Sequence, residues 1–295
     1  MKTFLKRFLL IFGLLIVGTV VGARLTSHKA PDHPWRAQFE EADYPLVIAH
    51  AGSGLYPTDT LYAIEQYAAM GVDVLEMDVH MTKDGAIVLL HDDTVDRTTN
   101  GSGDIREMTL AEAQALDAGW NWTVTGSEYP YRGLGVRIPT LNEVFEAFPE
   151  YAMIVEIKQE SPDMAEPLCA LIREYGMEDQ VIVPSFSDEA MLRFRATCPE
   201  VATAASTGEV VQFVVYNFLG LASTISPDYI ALQVPESRDG IPIVNGWFLR
   251  AAHERNLEVQ IWTINEPDEM QRFIDMGVDG IMTDRTDLLL DVLGR

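Results

Sequence analysis

The hydrophobic residues of this chain fall into short runs separated by amphipathic stretches. Eight runs rich in β-branched and aliphatic residues have the length of strands. They cover residues 45–50, 72–81, 153–158, 181–185, 201–206, 229–234, 258–263 and 280–284. Apolar residues recur at helical spacing between most of them, at 60–70, 162–175, 188–196, 245–256 and 267–276, and again after the last at 287–293. Alternation of this kind favours a parallel sheet with crossover helices.

Eight such units in roughly 250 residues fit a closed (β/α)8 TIM barrel, which belongs to the α/β class. An open doubly wound sheet is the alternative, but no glycine-rich dinucleotide fingerprint follows the first run. The rhythm breaks between residues 85 and 139, where a second β-run, Ala86–His91, precedes sequence rich in Gly, Thr and Trp. We therefore predict a barrel over 45–295 with a small insertion after the second strand, at about 92–138.

The N-terminal residues have the pattern of a targeting segment. Lys2, Lys6 and Arg7 precede the uncharged stretch FLLIFGLLIVGTVVGA. This pattern predicts a hydrophobic helix over 1–25, either a cleaved signal peptide or a single membrane anchor, with the folded domain outside the cytoplasm. Residues 26–44 are polar, contain two prolines and are interpreted as a linker.

The charge balance excludes one class of partner. The chain has 45 acidic and 21 basic residues, giving a net charge of −24. Because nucleic-acid binding depends on basic residues that neutralise phosphates, we predict no nucleic-acid partner. An anionic substrate would need a local cation, and a bound metal is one source of it.

The two cysteines carry no metal-binding signature. Cys169 and Cys198 stand alone, outside any zinc-type spacing. We expect them to be free and packed in the interior. A disulfide in an oxidising compartment remains the alternative, because the sequence does not show whether the two residues meet.

The first three predicted barrel strands contain charged residues and a histidine. His50 ends the first run; Glu76 and Asp78 of the second run are two residues apart, and so are Glu156 and Lys158 of the third. Residues two apart on a strand share a face, which in a barrel is the interior, where unpaired charges are costly. Three carboxylates there suit Mg²⁺ or Ca²⁺. An internal salt-bridge cluster around the lysine explains the spacing equally well.

Two histidines flank these carboxylates along the chain. His50 precedes them and His91 follows them. A lone histidine at a strand end is more often structural than catalytic. A pair on either side of a carboxylate cluster favours proton transfer, because imidazole changes charge near neutral pH.

Longer motifs resemble a known family. The stretch IAHAGSG…PTDTLYAI…GVDVLEMDVHMTKDGAIVLLHDDTVDRTTNGSG resembles a glycerophosphodiester phosphodiesterase domain, as do the later LDAG, IPTLNEVF, IVEIK, VQIWTIN and GVDGIMTDR. The resemblance covers roughly residues 46–293. It implies a (β/α)8 barrel with a small insertion and metal-dependent hydrolysis of glycerophosphodiesters to an alcohol and glycerol 3-phosphate.

The resemblance also implies a role for each matching residue. The HAG and HDD triplets place two catalytic histidines, and LEMD and EIK place three ligands of a divalent cation, Ca²⁺ or Mg²⁺. A lysine would contact the phosphate and an aromatic residue would line the site. The histidines are His50 and His91, and the metal ligands are Glu76, Asp78 and Glu156. The lysine is Lys158 and the aromatic residue is Trp262.

Two positions depart from the family pattern. Ala51 stands where the family has an arginine that contacts the phosphate, and Thr58 replaces the glutamate of the usual PENT motif. The metal, Lys158 and backbone N–H groups around Gly52 and Ser53 would then carry more of the phosphate binding.

Two other functions fit the same sequence. One is a lysophospholipase D-type activity on membrane lysolipids, with the membrane reached through an uncleaved N-terminal segment. Aromatic residues of the insertion would then contact acyl chains, although ordinary packing also explains them: Trp120, Trp122, Tyr129 and Tyr131. The other is a non-catalytic barrel that binds phosphate esters.

Overall fold

The computed structural model describes residues 18–39, 45–51 and 54–295. The barrel has eight strands: β1 Leu46–Ala49, β2 Val74–Met81, β4 Ala152–Ile157, β5 Val181–Val183, β6 Ala202–Thr203, β7 Ala231–Pro235, β10 Glu258–Trp262 and β11 Gly280–Thr283. They are parallel and run in the order β6-β5-β4-β2-β1-β11-β10-β7. An isolated parallel bridge between Ala204 and Ala231 then joins the two ends of this path. The predicted (β/α)8 barrel is therefore confirmed.

Helices cover the outside of the barrel. Helix α2 has a defined start and end, because Thr60 caps its first turn and Gly71 ends it in a left-handed conformation. The helices are α1 Pro34–Ala37, α2 Leu61–Met70, α3 Leu110–Gln114, α4 Leu141–Ala147, α5 Ala165–Tyr175, α6 Asp188–Thr197, α7 Thr207–Phe218, α8 Gly246–Glu254, α9 Pro267–Met276 and α10 Thr286–Leu293. Short 3-10 turns occupy Ile105–Glu107 and Ala222–Thr224.

The insertion after the second strand has a small core of its own. Strand β3, Ile87–Leu89, pairs antiparallel with β2 and begins it. Behind β3, a separate group of buried apolar side chains includes Val95, Ile105 and Ile138. A second hairpin, β8 Ser237–Arg238 and β9 Ile241–Pro242, follows β7 and was not predicted.

The interior of the barrel is apolar at one end and charged at the other. Residues from the starts of the strands, such as Leu46 and Val74, form an apolar layer with Trp35, which has no exposed surface. Trp35 and Phe39 belong to the stretch interpreted as a linker, yet they close the base of the barrel. The stretch was interpreted as a linker because most of its residues are polar, but it contains one buried aromatic pair with ring centroids 4.9 Å apart.

Beside this plug, an ion pair lies at the base of the barrel. The Nε atom of Arg36 is 3.3 Å from an oxygen of Glu258, a residue with 7% exposure. Burial raises the pKa of Glu258 to about 7, although the charge of Arg36 opposes that rise.

The expectation of free cysteines is wrong. Cys169 on α5 and Cys198 at the end of α6 form a disulfide. Helices α5 and α6 are neighbours around the barrel, which brings together two residues 29 positions apart.

The predicted N-terminal hydrophobic helix falls mainly on residues 1–17, which lie outside the described residues, and it stays a prediction. Residues 18–26 are helical. Within the described part of the chain, no helix is long and apolar enough to cross a bilayer.

Candidate active site

Three carboxylates meet in the barrel interior, toward the carboxyl ends of the strands. Glu76 and Asp78 lie on β2, and the sheet register pairs Asp78 with Glu156 of β4. One oxygen of each residue lies within 4.8 Å of the others. Glu76 and Asp78 are 5% and 0% exposed, so their charges cannot be stabilised by bulk water.

A single lysine lies against this cluster. The Nζ atom of Lys158 is 2.9 Å from Asp78 Oδ1 and 2.8 Å from Glu156 Oε1. One ammonium facing three carboxylates leaves negative charge uncompensated. Burial first, and then the charge of Asp78, raise the pKa of Glu76 to about 8 and that of Glu156 to about 7.

The cluster fits a divalent cation. Asp78 Oδ2 is buried and has no hydrogen-bond partner among the described residues. A buried carboxylate oxygen without a partner is costly unless a cation or a donor faces it. Oxygen donors of this kind are the ligands that Mg²⁺ and Ca²⁺ prefer. The interpretation as a salt-bridge cluster alone leaves this oxygen unexplained.

His50 follows β1 and is oriented by a carboxylate. Its Nδ1 atom lies 2.8 Å from Asp284 Oδ1, and Asn265 Nδ2 donates to Asp284 Oδ2 at 2.9 Å. Burial lowers the pKa of His50, but the hydrogen bond to Asp284 and the charge of Glu76 outweigh it and raise the pKa to about 9. The hydrogen bond at Nδ1 holds the ring in one orientation, and Nε2 has no hydrogen bond among the described residues.

His91 has the same arrangement on the other side of the site. It follows β3, and its Nδ1 atom is 2.6 Å from Asp92 Oδ1. Arg97 Nε donates to the other oxygen of Asp92 at 2.6 Å. The side chain of His91 is 47% exposed, which leaves it open to a ligand.

Both histidines line one cavity of about 540 Å³. Its polar side also contains Glu76, Glu156 and Lys158. An apolar wall adjoins this polar side. Trp262 packs edge-on against Phe186 there, with ring centroids 5.8 Å apart, and the Nζ atom of Lys158 lies 5.8 Å from the centroid of the Phe186 ring. The other apolar residues of this wall are Pro184, Ala205, Val210, Val211, Pro235 and Ile243.

Not every residue predicted for the site or singled out near it lines the cavity. Asp78 lies behind the cavity wall and reaches the cluster through its carboxylate. Gly52 and Ser53 lie outside the described residues, so their role stays a prediction. Ala51 is buried, and its backbone N–H donates to Glu76 Oε2 at 2.7 Å. Thr58 is half-buried and does not line the cavity.

Sequence reasoning missed the residues that support the first histidine and the carboxylates. Asp284 and Asn265 orient His50, and both lie within motifs that were identified only as family-like stretches. Asp59 also escaped notice. Its carboxylate accepts from the backbone N–H of Asp78 at 3.2 Å, and its own N–H donates to Ala51 O at 2.7 Å.

The aromatic residues of the insertion do not line the cavity. Tyr131 contacts Tyr62 of α2 and Trp122, with ring centroids 5.3 and 5.0 Å away. Trp120 and Tyr129 both contact the guanidinium of Arg132. Tyr131 thus packs the insertion against the barrel, as the alternative interpretation proposed, whereas the contacts of Trp120, Trp122 and Tyr129 lie within the insertion.

Known proteins of one family are similar to this chain. The model of the glycerophosphoryl diester phosphodiesterase family matches residues 50–288. A glycerophosphodiester phosphodiesterase of Caldanaerobacter subterraneus is 33% identical over 85% of this chain and 98% of its own length. A lysophospholipase D of Rattus norvegicus is 24% identical over 84% of this chain and 86% of its own.

One solved structure that is similar to this chain contains a bound product. It is an Oleispira antarctica phosphodiesterase in complex with the product sn-glycerol-3-phosphate. Its sequence is 25% identical, the TM-score is 0.67, and the match covers 85% of this chain and 97% of that protein.

Proposed function

The chain belongs to the glycerophosphoryl diester phosphodiesterase family of phosphoric diester hydrolases, and from that premise we propose how it acts. It hydrolyses glycerophosphodiesters to an alcohol and glycerol 3-phosphate, using a divalent cation and two histidines. The observation that carries this proposal is the convergence of His50, His91, Lys158 and the carboxylate cluster on one cavity.

Glu76, Asp78 and Glu156 would hold the cation, Mg²⁺ or Ca²⁺. When bound, it neutralises charge that develops on the phosphoryl oxygens in the transition state. Lys158 adds a second positive charge beside the same oxygens, and its pKa stays above its usual value because the neighbouring carboxylates outweigh the effect of burial.

The two histidines move protons. One imidazole removes the proton of the attacking hydroxyl as the new P–O bond forms. The other imidazole donates a proton to the alkoxide as the old P–O bond breaks. Because Asp284 and Asp92 each engage an Nδ1 atom, the Nε2 atoms of His50 and His91 carry out these transfers. The attacking group is the neighbouring hydroxyl of the glycerol unit, and water then opens the resulting cyclic phosphate.

The direct test uses metal-stripped protein and a panel of glycerophosphodiesters. Release of glycerol 3-phosphate is measured before and after Ca²⁺ or Mg²⁺ is restored. We expect release only with the metal. A chain that released no glycerol 3-phosphate from any diester, with either ion, would contradict the proposal. Equal release with and without metal would contradict the metal-dependent part.

A second candidate function is lysophospholipase D-type hydrolysis. The observation that favours it is the apolar wall of the cavity, whose residues include Phe186, Val211 and Ile243. Such a wall suits an acyl chain, because burying apolar surface is favourable. Glycerophosphocholine and its lysolipid counterpart separate the two functions: a higher kcat/KM for the lysolipid would favour the second.

We also propose that the folded domain works outside the cytoplasm, with residues 1–25 as signal peptide or membrane anchor. The disulfide between Cys169 and Cys198 supports this location, because disulfides persist in oxidising compartments. Cell fractionation tests the location, and the N-terminal sequence of the mature protein shows whether the segment is cleaved. A reduced protein recovered from the cytoplasm would contradict the proposal.

A further inference from the structure

The binding of an anionic phosphodiester poses an electrostatic problem for this chain. The net charge is −24, and two residues of the carboxylate cluster, Glu76 and Glu156, line the cavity. Lys158 is already engaged by Asp78 and Glu156 at 2.9 and 2.8 Å. Ala51, just after β1, has only a methyl group as its side chain. A further cationic side chain at the cavity would therefore favour the binding of a phosphodiester.

A hairpin at the cavity supplies one. Among the described residues that line the cavity, one is a lysine, Lys158, and one is an arginine, Arg238. Arg238 lies on β8, is exposed, and has no hydrogen bond or ion pair from its side chain within the described part of the chain. Its guanidinium is thus available to a ligand, whereas Arg97, near His91, is held by Asp92.

The hairpin holds this arginine in place. Its two-residue turn, Asp239 and Gly240, has φ angles of 53° and 77°, the left-handed conformation of a tight hairpin turn. At the stem, the backbone N–H of Ile243 donates to Glu236 O at 2.9 Å. The Glu236 carboxylate also pairs with Arg272 of α9. The stem is therefore anchored to the barrel while its cationic side chain faces the cavity.

We propose that Arg238 is a substrate-binding residue that contacts the phosphate of the diester from the β8–β9 hairpin. The inference rests on the proposed function, since it assigns a further residue to the same cavity. A guanidinium binds two phosphate oxygens through paired N–H donors, which gives it more affinity and orientation than an ammonium. Arg238 acts in substrate binding, whereas the histidines and the metal ligands carry the chemical step.

Three variants test this contact. Arg238→Gln removes the charge, Arg238→Lys keeps it without the paired donors, and Arg250→Gln removes the same charge from an exposed position on α8 that does not line the cavity. Steady-state kinetics on glycerophosphocholine give kcat and KM. Isothermal titration of the metal-loaded protein with inorganic phosphate gives affinity without turnover, and circular dichroism verifies the fold of each variant.

We expect Arg238→Gln to raise KM and weaken phosphate binding by about tenfold or more, because a hydrogen bond to a charged group contributes roughly 1.5–3 kcal/mol. Its kcat should change by less than about threefold. Arg238→Lys should recover part of the affinity, and Arg250→Gln should match the wild type. Unchanged phosphate affinity in Arg238→Gln, or an equal loss in Arg250→Gln, would overturn the proposal.

The two readouts separate this inference from the proposed function. If the wild type released no glycerol 3-phosphate from any diester, the proposed function would fail. Phosphate titration of Arg238→Gln against Arg250→Gln would still decide whether Arg238 binds phosphate.

Discussion

Replacing Glu76 by glutamine should make the metal-free protein more stable and the enzyme inactive. The carboxylate is buried beside Asp78 and Glu156, with oxygens within 4.8 Å. Glutamine removes the charge but keeps an oxygen that can accept the hydrogen bond from the Ala51 N–H. Stability and function should therefore move in opposite directions at this one position.

The size of the effect follows from the distances. Each like-charge pair at 4.8 Å repels by about 3.5 kcal/mol at an effective dielectric constant of 20. Attraction to His50 and Lys158 offsets part of the two repulsions, so we expect a net gain on the order of 3 kcal/mol. For a barrel of this size, that corresponds to a rise in Tm of roughly 6–12 °C. The gain is largest at pH 9, above the pKa of about 8 for Glu76.

The assay is thermal unfolding at pH 9 in EDTA, and then with Ca²⁺ or Mg²⁺, alongside release of glycerol 3-phosphate. Wild-type Tm should rise with metal, because a ligand that binds only the folded state stabilises it. Glu76→Gln should start higher, respond less to metal, and lose at least about 100-fold in kcat. Glu65→Gln, on the exposed face of α2, is the matched control and should resemble the wild type.

Two results would refute the reasoning. If Glu76→Gln were no more stable than the wild type in EDTA, the carboxylates would not repel one another as their positions require. If its response to metal were as large as that of the wild type, Glu76 would not be a ligand.

Other predictions concern the proton-transfer site, the disulfide and the base of the barrel. His50→Ala should lower kcat by about 100-fold or more with a normal circular dichroism spectrum; near-full activity would exclude His50 from acid–base catalysis. Reducing the Cys169–Cys198 disulfide, which closes a 29-residue separation, should lower the free energy of unfolding by about 3–4 kcal/mol; identical urea midpoints with and without reductant would contradict this. Burial raises the pKa of Glu258 from 4.5 to about 7, so the folded state keeps a proton that the unfolded chain releases. The contribution of Glu258 to stability is then full below pH 4.5 and lost as the pH rises to about 7, a difference of about 3 kcal/mol. Between pH 4.5 and pH 8, the free energy of unfolding in urea should fall less in Glu258→Gln than in the wild type. Equal falls in the two proteins would refute the assignment.

The barrel and the carboxylate cluster were accessible from the sequence for a physical reason. Strand β2 is buried at every position, and five of its eight residues are apolar, so the carboxylates of Glu76 and Asp78 stand out in its sequence. In a parallel barrel the carboxyl ends of all strands meet at one edge, and the convergence with Glu156 follows directly.

Helix α7 escaped prediction because its composition favours a strand. Val210, Val211, Val214 and Val215 are β-branched and lower helix propensity. The helix forms nevertheless, and the Glu209 carboxylate accepts from the backbone N–H of Ser206 at its start, at 2.8 Å. Tertiary packing against the barrel outweighs the local preference.

Contacts between distant positions could not be predicted either. Asp284 lies 234 residues from His50, and its role depends on the pairing of β1 with β11. The disulfide depends in the same way on the packing of α5 against α6. The sequence shows which residues are chemically able to interact, but only the fold determines which of them meet.

The position of Trp35 has a consequence for access to the cavity. Because Trp35 closes the base, the polypeptide that precedes it leaves the domain from that end, and Arg24 and Ser27 contact Gly220 and Ser223 there. The cavity opens at the opposite pole, toward the carboxyl ends of the strands. A domain tethered to a bilayer through its N terminus would therefore present its opening to the aqueous phase, and it would sample dissolved diesters before lipids that are still embedded in the membrane.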